Sequence, residues 1–155
     1  MSPADRWLSA YDQGHTQLCN KVLHWACSPF FVASIIGLLW SLPTPQVFEN
    51  SSTVLNWGTL FLMAAVVYYF IMSISLALGL LPFVMGTVLG IAWLDRLDTP
   101  LWFISICGIA IASTGQFIGH WIEGGRASLL RDIHYVAIAP IWSLAALYRR
   151  LGIPY

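Results

Sequence analysis

Long uncharged stretches separated by short polar segments dominate the pattern of the chain. Cys27 to Leu42 and Val54 to Leu94 contain no charged residue, and neither does the stretch from Pro100 to position 119. A membrane-spanning helix needs about 20 predominantly apolar residues. The first run is shorter, so its helix is expected to start earlier and to carry Asn20 and His24 near its beginning. The pattern predicts an all-α, polytopic membrane bundle of about four transmembrane helices.

The longest uncharged run is long enough for two spans. The sequence GLLP at 79–82 supplies a glycine and a proline, which favour a turn. We therefore expect span two to begin at Val54 and span three to end at Leu94. One tilted span followed by a re-entrant piece is the alternative. Gly86 and Gly90 form a G-x-x-x-G spacing that permits close helix contact, and we expect it to serve packing within the chain rather than dimerisation.

The two ends of the chain predict interfacial or re-entrant helices. Ser2, Pro3 and Asp5 are typical of a helix N-terminus. Near the other end, residues 135–148 form an apolar stretch of only 14 residues that contains Pro140. An interfacial or re-entrant helix suits this stretch at least as well as a fifth span. All 155 residues are predicted to form a single integral membrane domain.

Composition supports the membrane class and narrows the partners. Charged residues make up 9% of the chain and hydrophobic ones 58%, whereas soluble domains average roughly 25% charged. The seven Lys and Arg residues are scattered and the net charge is zero, which argues against a nucleic-acid partner. The three cysteines form no C-x-x-C pair and predict no disulfide framework. The lipid bilayer is the expected environment, and the abundant small residues leave room for a homo-oligomer.

The distribution of cations predicts which ends of the helices share a membrane face. Arg6 and Lys21 favour a cytoplasmic N-terminus, whereas the loop at 43–53 contains no Lys or Arg. Four spans then return the segment 120–134 to the cytoplasmic side. Compact loops and the lack of a retention tail favour a bacterial inner membrane, or the endoplasmic reticulum in a eukaryote. All four histidines are expected at this one face: His15, His24, His120 and His134.

Two groups of polar residues at this face are candidates for chemistry. Gln116, His120 and Glu123 lie within roughly 60° of one another on a helix. The second group consists of Tyr11, His15, Asn20 and His24. Imidazoles with a carboxylate suit iron, zinc or copper, and two histidines with one carboxylate are typical of non-haem Fe(II) oxygenases. His15 and His24 fall on opposite sides of a straight helix, so either the chain bends or one of them only positions a ligand.

Other functions are disfavoured to different degrees. The chain has too few histidines for a lipid desaturase, and it contains neither a G-x-S-x-G turn nor a phosphate-binding glycine loop. A transporter would be expected to show a repeat of its spans, and the sequence shows none. Bis-histidine haem binding stays an alternative, and so does a non-catalytic metal- or lipid-binding module.

These motifs resemble one family of small multispanning membrane proteins. Tyr11-x-x-x-His15 and Asn20-x-x-x-His24 are followed by Pro29, and later by GQFIGHWIEGG and APIWSLAALYRRLGI. In this order they resemble the family of the yeast 2-hydroxy-palmitic acid dioxygenase and its bacterial relatives, over nearly the whole chain. The resemblance implies an Fe(II)-dependent dioxygenase that uses O₂ to remove the carboxyl carbon of 2-hydroxy fatty acids and leaves a chain one carbon shorter.

The resemblance also implies a set of site residues. His15, His24 and His120 would bind Fe(II), with Glu123 as a further ligand or as the partner that orients an imidazole. Among the catalytic candidates, Gln116 would hydrogen-bond a ligand or the substrate, and Arg126 would pair with the substrate carboxylate. Tyr11 and Asn20 would position the metal ligands without binding the metal themselves. The residues that could line a path for the acyl chain are Trp25, Phe30, Phe117 and Trp121.

The sequence departs from the family pattern at three positions. Gly125 and Ala127 stand where relatives more often have a basic residue and a proline, and His134 stands where glutamine is expected. The first difference affects how a carboxylate would be held. The last one makes His134 the weakest of the histidine candidates for metal binding.

Overall fold

The all-α fold predicted from the sequence is confirmed. The computed structural model describes residues 18–52, 54–122, 144–145, 147–148 and 152, with the backbone alone at positions 18, 21, 49 and 120. Within these residues every regular element is a helix and no strand occurs. The helices are α1 (Leu18–Trp40), α2 (Gln46–Ser51), α3 (Trp57–Met72), α4 (Ile74–Leu94) and α5 (Leu101–Ile122).

Three of these helices are long and apolar enough to cross a membrane, and the chain is a membrane protein. The apolar spans are Val22–Trp40 in α1, all of α4, and Leu101–Gly119 in α5. Helix α3 is equally apolar but has 16 residues. The four predicted spans therefore correspond to three full-length helices and one shorter helix. The predicted N-terminal helix lies outside the described residues, and so does the predicted C-terminal one except at 144–145 and 147–148.

The break between spans two and three lies at Ser73, and the predicted turn at 79–82 is wrong. Ser73 has an extended backbone, and its Oγ accepts a 3.4 Å hydrogen bond from the Leu76 amide that caps the start of α4. Gly79 and Pro82 instead lie inside α4. In an apolar environment a break is stable where a side chain can satisfy the freed backbone groups. Because α4 has 21 residues, the re-entrant alternative is disfavoured.

The connection from α1 to α3 is more ordered than the sequence pattern indicated. It contains α2, which was not predicted, and a capping box at the start of α3. Asn56 Oδ1 accepts from the Thr59 amide at 3.0 Å, and Thr59 Oγ1 accepts from the Asn56 amide at 2.9 Å. The Trp57 indole donates to the Pro43 carbonyl at 3.1 Å. These bonds fix the end of the bundle formed by residues 41–52, 54–56 and 95–100, which we call the loop end.

Helix α1 packs most extensively against α5, and the two run antiparallel. Their contacts use glycines on both helices, where a Cβ atom would collide with the opposite side chain. A Cβ at Gly37 would lie 2.6 Å from Ser105 Oγ near the loop end. The other contacts of this kind are Gly108 with Ser34, Gly115 with Cys27, and Gly119 with Asn20. Small residues allow this close approach of two helix backbones in a membrane.

The expectation that Gly86 and Gly90 pack within the chain is wrong. Both glycines are exposed, and a Cβ atom at either would meet no atom of the described residues within 4 Å. Helix α4 instead contacts its neighbours through larger side chains. Near the loop end, Leu62, Ile91 and Leu101 surround Ile36. At the other end, Tyr69 and Leu76 form a second cluster, against which Trp25 packs.

Candidate functional site

Three buried polar side chains form a stripe along the first half of α1. Asn20, His24 and Ser28 are 0%, 3% and 4% exposed. Their spacing of four residues places them one above another on one side of the helix. Buried polar groups are rare in an apolar bundle unless a polar neighbour or a ligand satisfies them. The stripe is therefore the part of α1 on which a polar site can be built.

Helix α5 completes this stripe from the opposite side. Gln116 Nε2 donates a hydrogen bond to Ser28 Oγ at 3.3 Å. One turn further along, Gly119 lies directly against the side chain of Asn20. This hydrogen bond joins two residues that are 88 positions apart in the sequence. The segments of α1 and α5 that carry the two predicted polar groups thus meet at one end of the bundle. We call this end, defined by Asn20, His24, Ser28, Gln116 and Gly119, the polar end.

The structure brings together some of the predicted site residues and leaves the others untested. Asn20, His24 and Gln116 lie at the polar end, and the backbone of His120 follows Gly119 in the same turn of α5. The side chain of His120 lies outside the part of the protein that the structure describes. Five further residues of the predicted site lie wholly outside it: Tyr11, His15, Glu123, Arg126 and His134. The ligand set stays a prediction.

Among the described side chains, His24 is the buried imidazole that could bind a metal. The described residues contain no group of three His, Cys, Asp or Glu side chains. His24 is flanked in its stripe by uncharged polar residues, Asn20 and Ser28. A histidine side chain is a common metal ligand when its imidazole is neutral. The other ligands of a metal bound at His24 would have to come from side chains outside the described residues.

An apolar cavity lies between α1, α4 and α5. Its volume is about 350 Å³, and its lining is almost entirely apolar. It extends from Phe30, near the middle of α1, to Gly37, Leu94 and Ser105 near the loop end. Gly86 and Gly90 form part of its wall on α4. Clefts that bind small molecules typically have volumes of about 300–1,000 Å³.

The four aromatic residues proposed as walls for an acyl chain lie in different places. Phe30 borders the cavity. Trp25 packs against the cluster of Tyr69 and Leu76. Phe117 and Trp121 are 54% and 77% exposed on the outer surface of α5. Of the four, Phe30 alone lines the cavity.

Sequence reasoning missed two features of this region. Ser28 was not selected, although it continues the four-residue spacing of Asn20 and His24. That spacing is a signal available in the sequence. The cavity beside Gly86 and Gly90 was missed because their spacing is also that of a packing motif. The three-dimensional arrangement shows that no side chain of the described residues fills the space next to them.

Comparison with known proteins identifies a family that matches nearly the whole chain. A family model described as "2-hydroxy-palmitic acid dioxygenase Mpo1-like" matches residues 1–151. No curated protein and no solved structure shows a significant match to this chain.

Proposed function

Because the chain belongs to the 2-hydroxy-palmitic acid dioxygenase Mpo1-like family, we propose that it is an Fe(II)-dependent dioxygenase of 2-hydroxy fatty acids. It would oxidise the substrate with O₂ and release the carboxyl carbon, leaving a fatty acid one carbon shorter. The observation that supports this proposal is the buried His24, which lies in a polar stripe against the segment of α5 that carries Gln116 and His120.

The proposed overall reaction needs no further reductant. R–CH(OH)–COOH and O₂ would give R–COOH, CO₂ and H₂O. Four electrons leave the substrate and four reduce O₂. Iron, when bound, would supply the redox chemistry that allows O₂ to react with the hydroxy acid. The protein would hold the iron through His15, His24 and His120, with Glu123 as a further ligand or as the group that orients an imidazole.

The side chains around the proposed ligands have distinct roles in this proposal. Burial of His24 restricts its imidazole to few rotamers, which preorganises a ligand. Gln116, already bonded to Ser28, would present its carbonyl oxygen to the substrate hydroxyl. Arg126 would pair with the substrate carboxylate. Tyr11 and Asn20 would support the ligands from behind.

The cellular placement is part of the proposal. The cations near the N-terminus and in the segment 120–134 favour a cytoplasmic polar end, and the inner membrane of a bacterium is the proposed location. A fatty acid in the cytoplasmic leaflet would then meet the site with its carboxylate at the membrane surface. Its acyl chain would remain in the hydrocarbon region.

Iron content provides the decisive experiment. The protein and its His24→Ala and His120→Ala variants would be purified anaerobically in detergent and reconstituted with Fe(II). We expect about one iron per chain in the parent protein and at least a tenfold loss of iron affinity in each variant. O₂ consumption with 2-hydroxypalmitate should disappear in both.

Thr114→Val is the control, because Thr114 is exposed on the same helix and bonds only within it. It should keep both iron and activity. A folded His24→Ala protein that retains full iron and full turnover would contradict the proposed site. An iron-loaded parent protein that consumes no O₂ with any 2-hydroxy fatty acid would contradict the proposed reaction.

A further inference from the structure

The cavity between α1, α4 and α5 lies at a defined distance from the polar end. Gly37 lies 13 positions after His24 on α1, and a rise of about 1.5 Å per residue makes this about 20 Å. An extended 16-carbon chain is about 19 Å long, because bonds of about 1.5 Å at tetrahedral angles each advance roughly 1.25 Å. A chain whose head is at His24 would therefore end beside Gly37.

The two cavity glycines lie at different depths along this path. Helix α4 runs parallel to α1, since Trp25 packs in the cluster of Leu76 and a Cβ at Gly37 would lie 3.9 Å from Ile91. Gly90 is thus about 18 Å from the level of His24, and Gly86, one turn nearer, is about 12 Å from it. These depths correspond to about carbon 15 and carbon 10 of an extended acyl chain.

We infer that this cavity receives the terminal half of the substrate's acyl chain and that Gly86 and Gly90 set the chain length that the enzyme accepts. The inference rests on the proposed function, whose substrate has a single acyl chain. The lining is apolar, as a hydrocarbon tail requires. No atom of the described residues lies within 4 Å of an added Cβ at either glycine, so the wall of the cavity has room for a larger side chain at both positions.

Gly90→Leu and Gly86→Leu shorten the cavity from its far end by different amounts. Gly90→Leu should exclude the last carbons of a 16-carbon chain while 12-carbon substrates still fit. Gly86→Leu should move the limit to about 10 carbons. A pocket discriminates between chains that differ by one methylene by about 10-fold or more. We expect kcat/KM for 2-hydroxypalmitate to fall at least tenfold in Gly90→Leu, with the 12-carbon substrate within about twofold of the parent.

The first test is a chain-length series of 2-hydroxy fatty acids assayed on the full-length, iron-loaded protein. Ala110→Leu adds the same side chain at an exposed position of α5 outside the cavity, and it should leave the chain-length profile unchanged. A chain-length profile in Gly90→Leu and Gly86→Leu identical to that of the parent would overturn the inference. An equal loss of activity at every chain length would also overturn it, because that result indicates a general structural defect.

The second test does not depend on turnover. A 16-carbon 2-hydroxy acid with a diazirine near its last carbon should label Thr87 and Ile91, which line the cavity, when irradiated with the protein in detergent. Unlabelled 2-hydroxypalmitate should compete, and Gly90→Leu should abolish the labelling. Uncompeted labelling, or labelling as strong at the outward-facing Met85 and Leu89, would mean that ordinary lipid tails occupy this surface and would refute the inference. If the labelling succeeds in a protein without turnover, the tail site stands and the proposed reaction fails.

Discussion

Asn20 lies directly against the backbone of Gly119, so that a Cβ atom at position 119 would overlap the Asn20 amide oxygen. Asn20 is fully buried, so its side chain can make room for an added methyl group only by displacing the atoms packed around it. Gly119→Ala should therefore destabilise the protein by about 1–3 kcal/mol, as overpacking does elsewhere. The measurement is thermal unfolding in detergent.

The matched control for this substitution is Gly86→Ala, because an added Cβ there has no atom of the described helices within 4 Å. Alanine is favoured over glycine inside a helix by up to about 1 kcal/mol, so this variant should be as stable as the parent or slightly more stable. Equal stabilities for Gly119→Ala and the parent would show that the two helices do not approach as closely as described.

The hydrogen bond between Gln116 and Ser28 should be measurable as a coupling energy. In a double-mutant cycle with Gln116→Leu and Ser28→Ala, we expect a coupling of about 0.6 kcal/mol, the average for interhelical bonds in membranes. Because Gln116 is also proposed to contact the substrate, Gln116→Leu should lower kcat/KM more than Ser28→Ala does. Equal effects of both variants on kcat/KM would restrict Gln116 to linking the helices.

The orientation of the bundle can be tested with single cysteines. Cys19 is exposed at the start of α1, near the polar end, and Asp98 is exposed at the loop end. With the other cysteines changed to serine, a membrane-impermeant maleimide should label Asp98→Cys in intact bacterial cells. Cys19 should react only after permeabilisation. The reverse pattern would place the polar end outside the cytoplasm.

The capping box of α3 should contribute to stability without affecting catalysis. Removing an N-cap side chain costs about 0.5–2 kcal/mol, and Asn56 bonds the Thr59 amide at 3.0 Å. Asn56→Ala should lower the melting temperature while iron content stays unchanged, because the capping box lies at the loop end. Asn50→Ala, at an exposed position of α2, should leave the melting temperature within error of the parent.

The sequence was most informative where length and charge decide the structure. The start of α1 before His24 follows from the minimum length of a membrane span, and the start of α5 follows from the charged residues that precede it at 95–98. The break at Ser73 was not predictable in the same way. Glycine and proline are strong signals for turns in water, whereas in an apolar environment the capping of freed backbone groups decides where a helix stops.

The partners of the glycines were also outside the reach of local sequence patterns. Gly86 and Gly90 have the spacing of a packing motif and remain open, whereas Gly108, Gly115 and Gly119 make the close contacts. Spacing within one helix does not show which helix lies opposite. With the buried Ala112, the glycines of α5 form a stripe with intervals of three and four residues. That longer stripe was the more reliable signal, and its extent distinguishes it from a single G-x-x-x-G.

The partnership of α1 with α5 has a consequence for the order in which the protein assembles. These helices make the most extensive contacts of the described chain although they are the furthest apart in sequence. Contacts between distant segments form late, since the loop between them must close first. During synthesis α1 must wait in the membrane until all of α5 has left the ribosome. A shortened chain that ends before residue 116 would insert its first helices and yet lack one complete side of the polar end.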